Sequence, residues 1–151
     1  MTYVKDLDTG EQSGLEQIQF FAAGGLNYKG IGHKLGFRVA EVENGRVVFE
    51  ATPNEEAYNP LGTVHGGYLA TLLDSALGCA VHSTLKARLA YTTLELKVNY
   101  LRAMTAATGP IRAEGRVVQT GRRAAFAEGE IKDARGRVYA TATTTCLVFD
   151  K

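Results

Sequence analysis

The residues best suited to chemistry lie in one stretch of the chain, Asn59 to Asp74, which combines glycines, a histidine and a single acid. This stretch begins as a loop and becomes an apolar helix at Val64 or His65. Gly66 and Gly67 fall in the first turn, where backbone N–H groups have no partner inside the helix. Because glycine has no side chain, a ligand can approach those amides closely, and the helix dipole favours negative charge there.

Asp74 is the second candidate in this stretch. It follows His65 by nine residues and is the only acidic residue between Glu56 and Glu95. A carboxylate midway along an otherwise apolar helix is costly to bury unless it is paired or used. An anion-binding helix start followed by a lone acid therefore predicts a hydrolytic site.

Composition limits the class of protein. A chain of 151 residues with a net charge of +1 is predicted to form one domain without a nucleic-acid-binding surface. No apolar run approaches the ~20 residues that span a bilayer, and the N-terminus carries no secretion signal, so we expect no membrane partner. Cys79 and Cys146 lie in apolar surroundings and are interpreted as free thiols in a reducing compartment, which predicts a cytoplasmic protein.

The first half of the chain must position the Asn59–Asp74 stretch. Residues 1–12 are polar and predicted to be flexible, and the domain is assigned to residues 13–151. Ser13 and Glu16 form a capping-box pattern at the start of a short helix that ends at Gly24–Gly25. The elements predicted next are a loop over 27–32, a strand over 36–42, a hairpin turn at Asn44–Gly45, a strand over 46–51 and a helix over 64–84.

The second half is rich in predicted strands. Residues 93–100 alternate between apolar and polar, which places Leu94, Leu96, Val98 and Tyr100 on one face. Further strands are predicted over 111–119, 124–132 and 137–149, separated by short turns. Six such strands favour an antiparallel sheet, and a helix that is apolar nearly all round must be covered on most sides. The predicted fold is α+β, a curved six-stranded antiparallel sheet wrapped around one long central helix.

These residues together resemble a known family. The arrangement of Asn59, His65-Gly66-Gly67 and Asp74, followed by the strand ending Tyr100-Leu101-Arg102, is similar to hotdog-fold thioesterases of the PaaI-like, phenylacetic-acid-degradation type. The resemblance covers residues 35–148. It implies hydrolysis of acyl-coenzyme A to free acid and coenzyme A, with no metal or cofactor, by a homodimer or by a homotetramer built as a dimer of dimers.

The resemblance also implies roles for individual residues. The Gly66 N–H and the Asn59 side chain would polarise the thioester carbonyl, and Asp74 would activate water or attack directly. Thr93 would orient the water, with Thr92 as the alternative if the preceding loop is shifted by one residue. His65 either binds substrate or caps the helix.

Helix geometry then constrains the assembly. Gly66 and Asp74 are eight residues apart on one helix, which separates them by about 12 Å. If both are catalytic, they must come from different chains whose helices run antiparallel across a two-fold axis.

Substrate contacts are predicted further along the chain. Arg102, Arg122 and Arg123 fall at strand ends or turns, where they could reach the phosphates of coenzyme A. Gly67, Tyr68 and the N-terminal segment are predicted to shape the site. His33 and His82 have no spacing that suggests a metal site. In contrast to the usual family pattern, Ala103 replaces a frequent proline, and position 93 is Thr rather than Ser.

Two other classes of function stay open. A hotdog-fold hydratase or dehydratase would also act on acyl thioesters, but it needs a histidine and an acid together beside the substrate's second and third carbons. A non-catalytic acyl-CoA binding protein would keep the fold and have no need of Asp74. Serine-hydrolase chemistry is disfavoured because the chain has no Gly-x-Ser-x-Gly motif.

Overall fold

The computed structural model describes residues 10–24 and 29–151, which form one sheet with three helices. The elements in chain order are α1 (Gly14–Ala22), α2 (Ile31–Leu35), β1 (Phe37–Glu43), β2 (Arg46–Ala51), α3 (Gly66–Ser83), β3 (Leu89–Tyr100), β4 (Ile111–Thr120), β5 (Ala124–Asp133) and β6 (Val138–Asp150). No helix in this described part is long and apolar enough to cross a bilayer.

The six strands form a single antiparallel sheet in the order β1-β2-β4-β5-β6-β3, so β1 and β3 are its two edges. The sheet curves around α3, and bulges in β1, β3 and β4 add local twist that helps a sheet to bend. The predicted hotdog fold, with a short helix at its N-terminal end, is confirmed.

The core lies between α3 and the concave face of the sheet. The α3 side chains on this side are fully buried, namely Leu72, Leu73, Ala76, Leu77, Ala80 and Val81. Helix and sheet approach closely at Gly115 in β4, where an added Cβ would lie only 2.4 Å from the carbonyl oxygen of Ala76. This close approach explains why an inward-facing position of β4 is occupied by glycine and not by a larger apolar residue.

The structure corrects several predicted boundaries. Val64 is not helical, because it pairs with Tyr58 in an isolated β-bridge, and α3 begins two residues later at Gly66. Residues 31 and 32 of the predicted 27–32 loop belong instead to the short helix α2, whose five residues are too few to show a helical period, and residues 27 and 28 lie outside the described residues. Strand β3 begins at Leu89, four residues before the predicted start. Residues 1–9 of the predicted flexible segment lie outside the described residues.

Helix α1 closes one end of the molecule. Its predicted capping box is confirmed, since the Ser13 N–H donates to a Glu16 carboxylate oxygen at 2.7 Å and the Glu16 N–H donates to the Ser13 hydroxyl. The Gly14 N–H donates to the carbonyl of Leu85, just beyond the C-terminal end of α3, at 2.9 Å. These contacts hold α1 across the C-terminal part of α3.

Candidate active site

The start of α3 is organised by His65, which is the N-cap residue. Its Nδ1 atom accepts a hydrogen bond from the Gly67 N–H at 2.8 Å, which satisfies one of the amides that a helix start leaves unpaired. A Cβ on Gly67 would lie 2.9 Å from this nitrogen, so the capping imidazole occupies the space that a side chain would need. Of the two predicted roles for His65, the geometry directly provides the capping one.

Gly66 presents the amide that the sequence singles out. Its N–H makes no hydrogen bond within the described part of the chain, and the residue is only half-buried. The Tyr100 hydroxyl donates to the Gly66 carbonyl at 2.9 Å, and the Tyr100 ring lies 3.0 Å from where a Gly66 Cβ would be. Tyr100 therefore fixes the Gly66 peptide while its N–H stays available as a donor.

Asn59 shapes the loop that precedes α3. Its Oδ1 atom accepts from the N–H groups of Leu61 and Thr63 at 2.9 and 3.3 Å, and its Nδ2 donates to the Thr63 hydroxyl at 2.9 Å. An amide nitrogen carries two hydrogens, so one donor of Asn59 remains beyond this bond. The side chain thus serves the loop, and its contribution to a carbonyl site stays a prediction.

Asp74 lies on an exposed stripe of α3 and has one hydrogen-bond partner among the described residues. The Thr93 hydroxyl donates to its Oδ1 atom at 2.9 Å. Burial, followed by the charge of Asp74, raises the pKa of the nearby Cys79 thiol to about 12. The carboxylate is therefore oriented through one oxygen by Thr93, and the adjacent thiol stays protonated.

A β-bulge brings Thr93 to Asp74. The register of β3 against β6 shifts between Thr93 and Glu95, so Leu94 is left out of the pairing and is exposed. Strict alternation would have turned Thr93 to the face opposite Leu96. The bulge instead lets both residues point toward α3.

A cleft of about 500 Å³ opens beside Asp74. It lies between the two edges of the sheet, with β1 on one side and β3 on the other, and α1 and α2 line it as well. Its apolar lining comes from Phe21, Ile31, Phe37, Val39 and Phe49. Such a cleft, which combines aromatic and aliphatic groups with the polar side chains of Asp74, His33 and Arg38, suits a small, largely apolar ligand beside a reactive centre.

Gly66 and Asp74 do not meet within one chain. Both lie on α3, eight residues apart, which corresponds to about 12 Å along the axis. A single carbonyl group cannot contact both. One chain therefore holds the two halves of the predicted site without assembling them.

The predicted substrate contacts fall in three places. Tyr68 is buried in the core, with its hydroxyl unpartnered among the described residues, and it does not line the cleft beside Asp74. Arg122 and Arg123 line a second cleft of about 730 Å³ at the C-terminal end of α3, beside Lys86. Arg102 is exposed, and its Nε donates to the Val138 carbonyl at 3.1 Å.

Two residues near these groups had no predicted role. Tyr91 lines the cleft next to Asp74, and Tyr100 holds the Gly66 peptide. Tyr100 was predicted to lie on an apolar strand face and was part of the family pattern, but neither gives any sign that its hydroxyl reaches a helix start. Within the described residues, no group of three His, Cys, Asp or Glu side chains is arranged to hold a metal ion.

Comparison with known proteins gives the class to which this fold and site belong. The family model of the Thioesterase superfamily matches residues 61–140, from the loop before α3 into β6. A protein of Saccharolobus solfataricus named "Putative esterase SSO2140" is 35% identical over 108 residues, which cover 72% of this chain and 75% of that protein.

Solved structures agree. The phenylacetic acid degradation-related protein of Ralstonia eutropha JMP134 is 28% identical with a TM-score of 0.77, covering 86% of this chain and 98% of that one. The smu.793 protein of Streptococcus mutans UA159, solved with acetyl CoA bound, is 26% identical with a TM-score of 0.72, covering 83% and 95%.

The chain belongs to the thioesterase superfamily. Its hotdog fold and its similarity to phenylacetic acid degradation-related proteins confirm the PaaI-like resemblance read from the sequence. It is a thioester hydrolase.

Proposed function

We propose that the protein hydrolyses acyl-coenzyme A thioesters, and that each active site is shared between two copies of the chain. Asp74 comes from one subunit, and the Gly66 N–H, with Asn59, comes from the other. The observation that carries this proposal is the spacing on α3: two groups open to solvent and suited to one reaction are held about 12 Å apart in each chain. Antiparallel packing of two α3 helices would pair each Asp74 with a partner Gly66.

The reaction follows from these groups. The Gly66 N–H donates a hydrogen bond to the thioester carbonyl oxygen. This hydrogen bond becomes stronger as the oxygen becomes negative, which stabilises the transition state. Asp74 either takes a proton from water as the water oxygen attacks the carbonyl carbon, or attacks that carbon itself. The C–S bond then breaks, and the thiolate leaves and is protonated as coenzyme A. In the second route, water afterwards hydrolyses the Asp74 anhydride.

Thr93 suits the first step in both routes. Its hydroxyl donates to Asp74 Oδ1, which leaves Oδ2 to face the water or the carbonyl carbon. Because the bond comes from a strand that packs against α3, the carboxylate is held in one orientation. In the sequence-derived hypothesis Thr93 oriented the water, and here it does so through Asp74.

The exposed surface of the chain fits a second copy. Strand β3 is an edge of the sheet, and Leu94, Tyr100 and Leu101 on or just after it are more than half exposed. The open stripe of α3 carries the small residues Gly67 and Thr71, which allow another helix to approach closely. Pairing along β3 would cover an edge that is otherwise open to association.

Coenzyme A is proposed as the carrier because a structural neighbour holds acetyl CoA. Arg122 and Arg123 lie beside the C-terminal end of α3, where Thr84 is about 15 Å along the axis from Asp74. That separation suits an extended ligand with phosphates at its far end. Arg102 is the alternative phosphate contact, and the pairing of dimers into a tetramer stays a prediction.

One observation favours a second candidate, the hydratase. His33 on α2 lines the same cleft as Asp74, so a histidine and an acid do share one cavity. On incubation with an enoyl-CoA, loss of the enoyl-thioester absorbance without release of thiol would indicate hydration, whereas loss of absorbance with an equal amount of thiol released indicates hydrolysis. The orientation of Asp74 by Thr93 favours hydrolysis, because a single oriented carboxylate is sufficient for it.

Subunit complementation tests the shared site. In Gly66→Pro the donor N–H is lost, but proline is well tolerated at the first helical position, and His65 before it already has φ −62° and ψ 135°, which suits a residue before proline. We expect Asp74→Asn and Gly66→Pro to lose thiol release each on its own. Mixing them after reversible dissociation should restore about a quarter of wild-type activity, because half the dimers are mixed and each has one intact site.

The controls separate chemistry from packing. Gly66→Ala adds the Cβ that approaches Tyr100 but keeps the N–H, so it should retain most of the activity that Gly66→Pro loses. Glu128→Gln removes an exposed carboxylate from β5 and should be neutral. A mixture no more active than its parents, with heterodimers present by native mass spectrometry, would show that the site does not span two subunits.

A further inference from the structure

Tyr91 brings a phenol hydroxyl into the cleft that also holds Asp74. Its side chain lines the cavity with Asp74, yet its hydroxyl makes no hydrogen bond within residues 10–24 and 29–151. The cleft also holds the polar side chains of His33, Arg38 and Ser75, and none of them hydrogen-bonds to the Tyr91 hydroxyl. A phenol in such a place is exposed to whatever fills the cavity.

The position of this phenol is fixed by its surroundings. The Tyr91 hydroxyl lies 2.5 Å from where a Cβ on Gly78 would be, so the ring rests against α3 only because residue 78 has no side chain. The ring also lies against His82, with centroids 5.6 Å apart. Gly78 follows Asp74 by one helical turn, about 6 Å along the axis, so the phenol lies close to the proposed catalytic carboxylate.

The chemistry of this group at working pH is that of a neutral donor. Burial, together with the nearby Cys79, Cys146 and Asp74, raises the pKa of Tyr91 well above the ordinary value for tyrosine. The hydroxyl therefore keeps its proton and can donate a hydrogen bond. A hydrocarbon ligand that displaces water from it would leave a buried donor unsatisfied.

We propose that the Tyr91 hydroxyl is a specificity-determining group that selects acyl chains carrying an oxygen atom over the matching hydrocarbon chains. This inference rests on the proposed function, since it takes the cleft beside Asp74 to hold the acyl group. A site that hydrogen-bonds a substrate oxygen discriminates strongly against the analogue that lacks it, because the protein group then has no partner. Tyr91 does not take part in bond breaking, so its effect is on the choice among substrates.

Two matched pairs of substrates test this proposal. They are phenylacetyl-CoA with its 4-hydroxy analogue and hexanoyl-CoA with its 6-hydroxy analogue, so the result does not depend on one carbon skeleton. For the wild type we expect kcat/KM to favour the hydroxylated member of at least one pair by about tenfold. Tyr91→Phe should bring that ratio close to one, by slowing the hydroxylated substrate and not the hydrocarbon.

Tyr139→Phe is the matched control. Tyr139 is also buried, but its hydroxyl faces Asp133 at 3.4 Å and lies outside the cleft. This variant should keep the wild-type ratio. A wild type without preference in either pair, or a Tyr91→Phe protein with an unchanged ratio, would overturn the proposal.

A binding measurement keeps this test separate from the proposed function. Dissociation constants of non-hydrolysable thioether analogues of both pairs can be measured by calorimetry with Asp74→Asn and with Asp74→Asn/Tyr91→Phe. If no acyl-CoA is turned over, the hydrolase proposal fails. The specificity proposal is then decided by whether the preference in binding disappears with the Tyr91 hydroxyl.

Discussion

The two ends of α3 are treated differently by the rest of the chain. At its C-terminal end, the Ser83 hydroxyl accepts from the Gly45 N–H at 2.8 Å, and the Asn44 side chain donates to the Ser83 carbonyl at 3.2 Å. Gly14 of α1 adds a bond to Leu85. At the N-terminal end, the cap is supplied locally by His65, and the Gly66 amide makes no bond within the described residues.

This contrast shows which end of α3 is hydrogen-bonded to the rest of the fold and which end is left open, where the proposed site lies. Helix ends leave several backbone groups without intrahelical partners, and native proteins usually satisfy those that are buried. The C-terminal end is satisfied by two other elements, the β1–β2 turn and α1. The open stripe at Gly66 and Asp74 makes few contacts within one chain, which is compatible with the role proposed for it in catalysis.

We call the C-terminal end of α3, which Asn44, Gly45 and Gly14 hydrogen-bond, the sealed end, and its N-terminal end at His65 and Gly66 the open end. The largest effect on the sealed end is expected from Gly14→Ala. An added Cβ would lie 1.8 Å from the backbone carbonyl oxygen of His82, which cannot move aside without distorting α3. We expect α1 to be displaced, with a loss of about 1–3 kcal/mol in the free energy of unfolding. Because Phe21 of α1 lines the cleft, KM for acyl-CoA should rise as well.

Hydrogen exchange distinguishes displacement of α1 from general unfolding. Amides of α1, such as that of Ile18, should lose protection, while those of the buried strands keep it. Gly14→Ala protein with wild-type melting temperature and wild-type exchange in α1 would show that the sealed end does not depend on this contact.

Much of the fold was predictable from the sequence because its signals are local and periodic. Strand alternation, the Asn44–Gly45 turn and the all-round apolar character of α3 predicted the curved sheet around one helix. The bulge at Leu94 was not predictable, because it replaces the regular alternation of Leu94, Leu96 and Val98 with a register that only pairing to β6 defines. Thr93 was nevertheless assigned to the site, through the family resemblance and not through the strand pattern.

The candidate site could be proposed from the sequence in its components more than in its surroundings. The helix start and the lone acid can be recognised in the sequence because Gly66 and Asp74 differ from the mainly apolar residues around them. Tyr91 is not visible in this way, since its neighbours Asp74 and Gly78 are far from it in sequence. Its position depends on how β3 lies across α3, which is a property of the tertiary fold.

At the open end, a smaller change in stability is expected from substitution of His65. His65→Ala removes the acceptor for the Gly67 N–H and should cost about 1 kcal/mol of unfolding free energy, the usual value of an N-cap. His65→Asn supplies another acceptor and should restore most of this stability. Activity then separates the two predicted roles, because capping alone predicts that kcat/KM recovers in His65→Asn along with the melting temperature.

A His65→Asn protein that regains stability but not activity would show that capping is not the only role of His65. It would show that the imidazole contacts substrate, since asparagine reproduces the cap but not the ring. Urea unfolding and thiol-release kinetics on the same preparations provide both measurements.

The smallest effect is expected at the sealed end, where His82 responds to pH. Burial lowers the pKa of His82, and its Nδ1 has no partner among the described residues, while Nε2 lies 3.0 Å from the Gln17 side-chain oxygen. The unfolded chain therefore binds a proton at this histidine more readily than the folded one. The contribution of neutral His82 to stability is complete above about pH 6.5 and declines as the pH falls below that value.

We expect the melting temperature of the wild type to fall between pH 7 and pH 5, and to fall less in His82→Gln, which can still hydrogen-bond to Gln17. This interval lies above the ordinary pKa values of carboxyl groups, so Asp and Glu contribute little to the difference. His33→Gln is the matched control, because His33 is exposed on α2, and it should keep the wild-type slope. If the melting temperature fell equally with pH in His82→Gln and in the wild type, His82 would be shown to accept a proton in the folded protein without loss of stability. The two ends of α3 would then differ in their hydrogen bonds but not in their access to water.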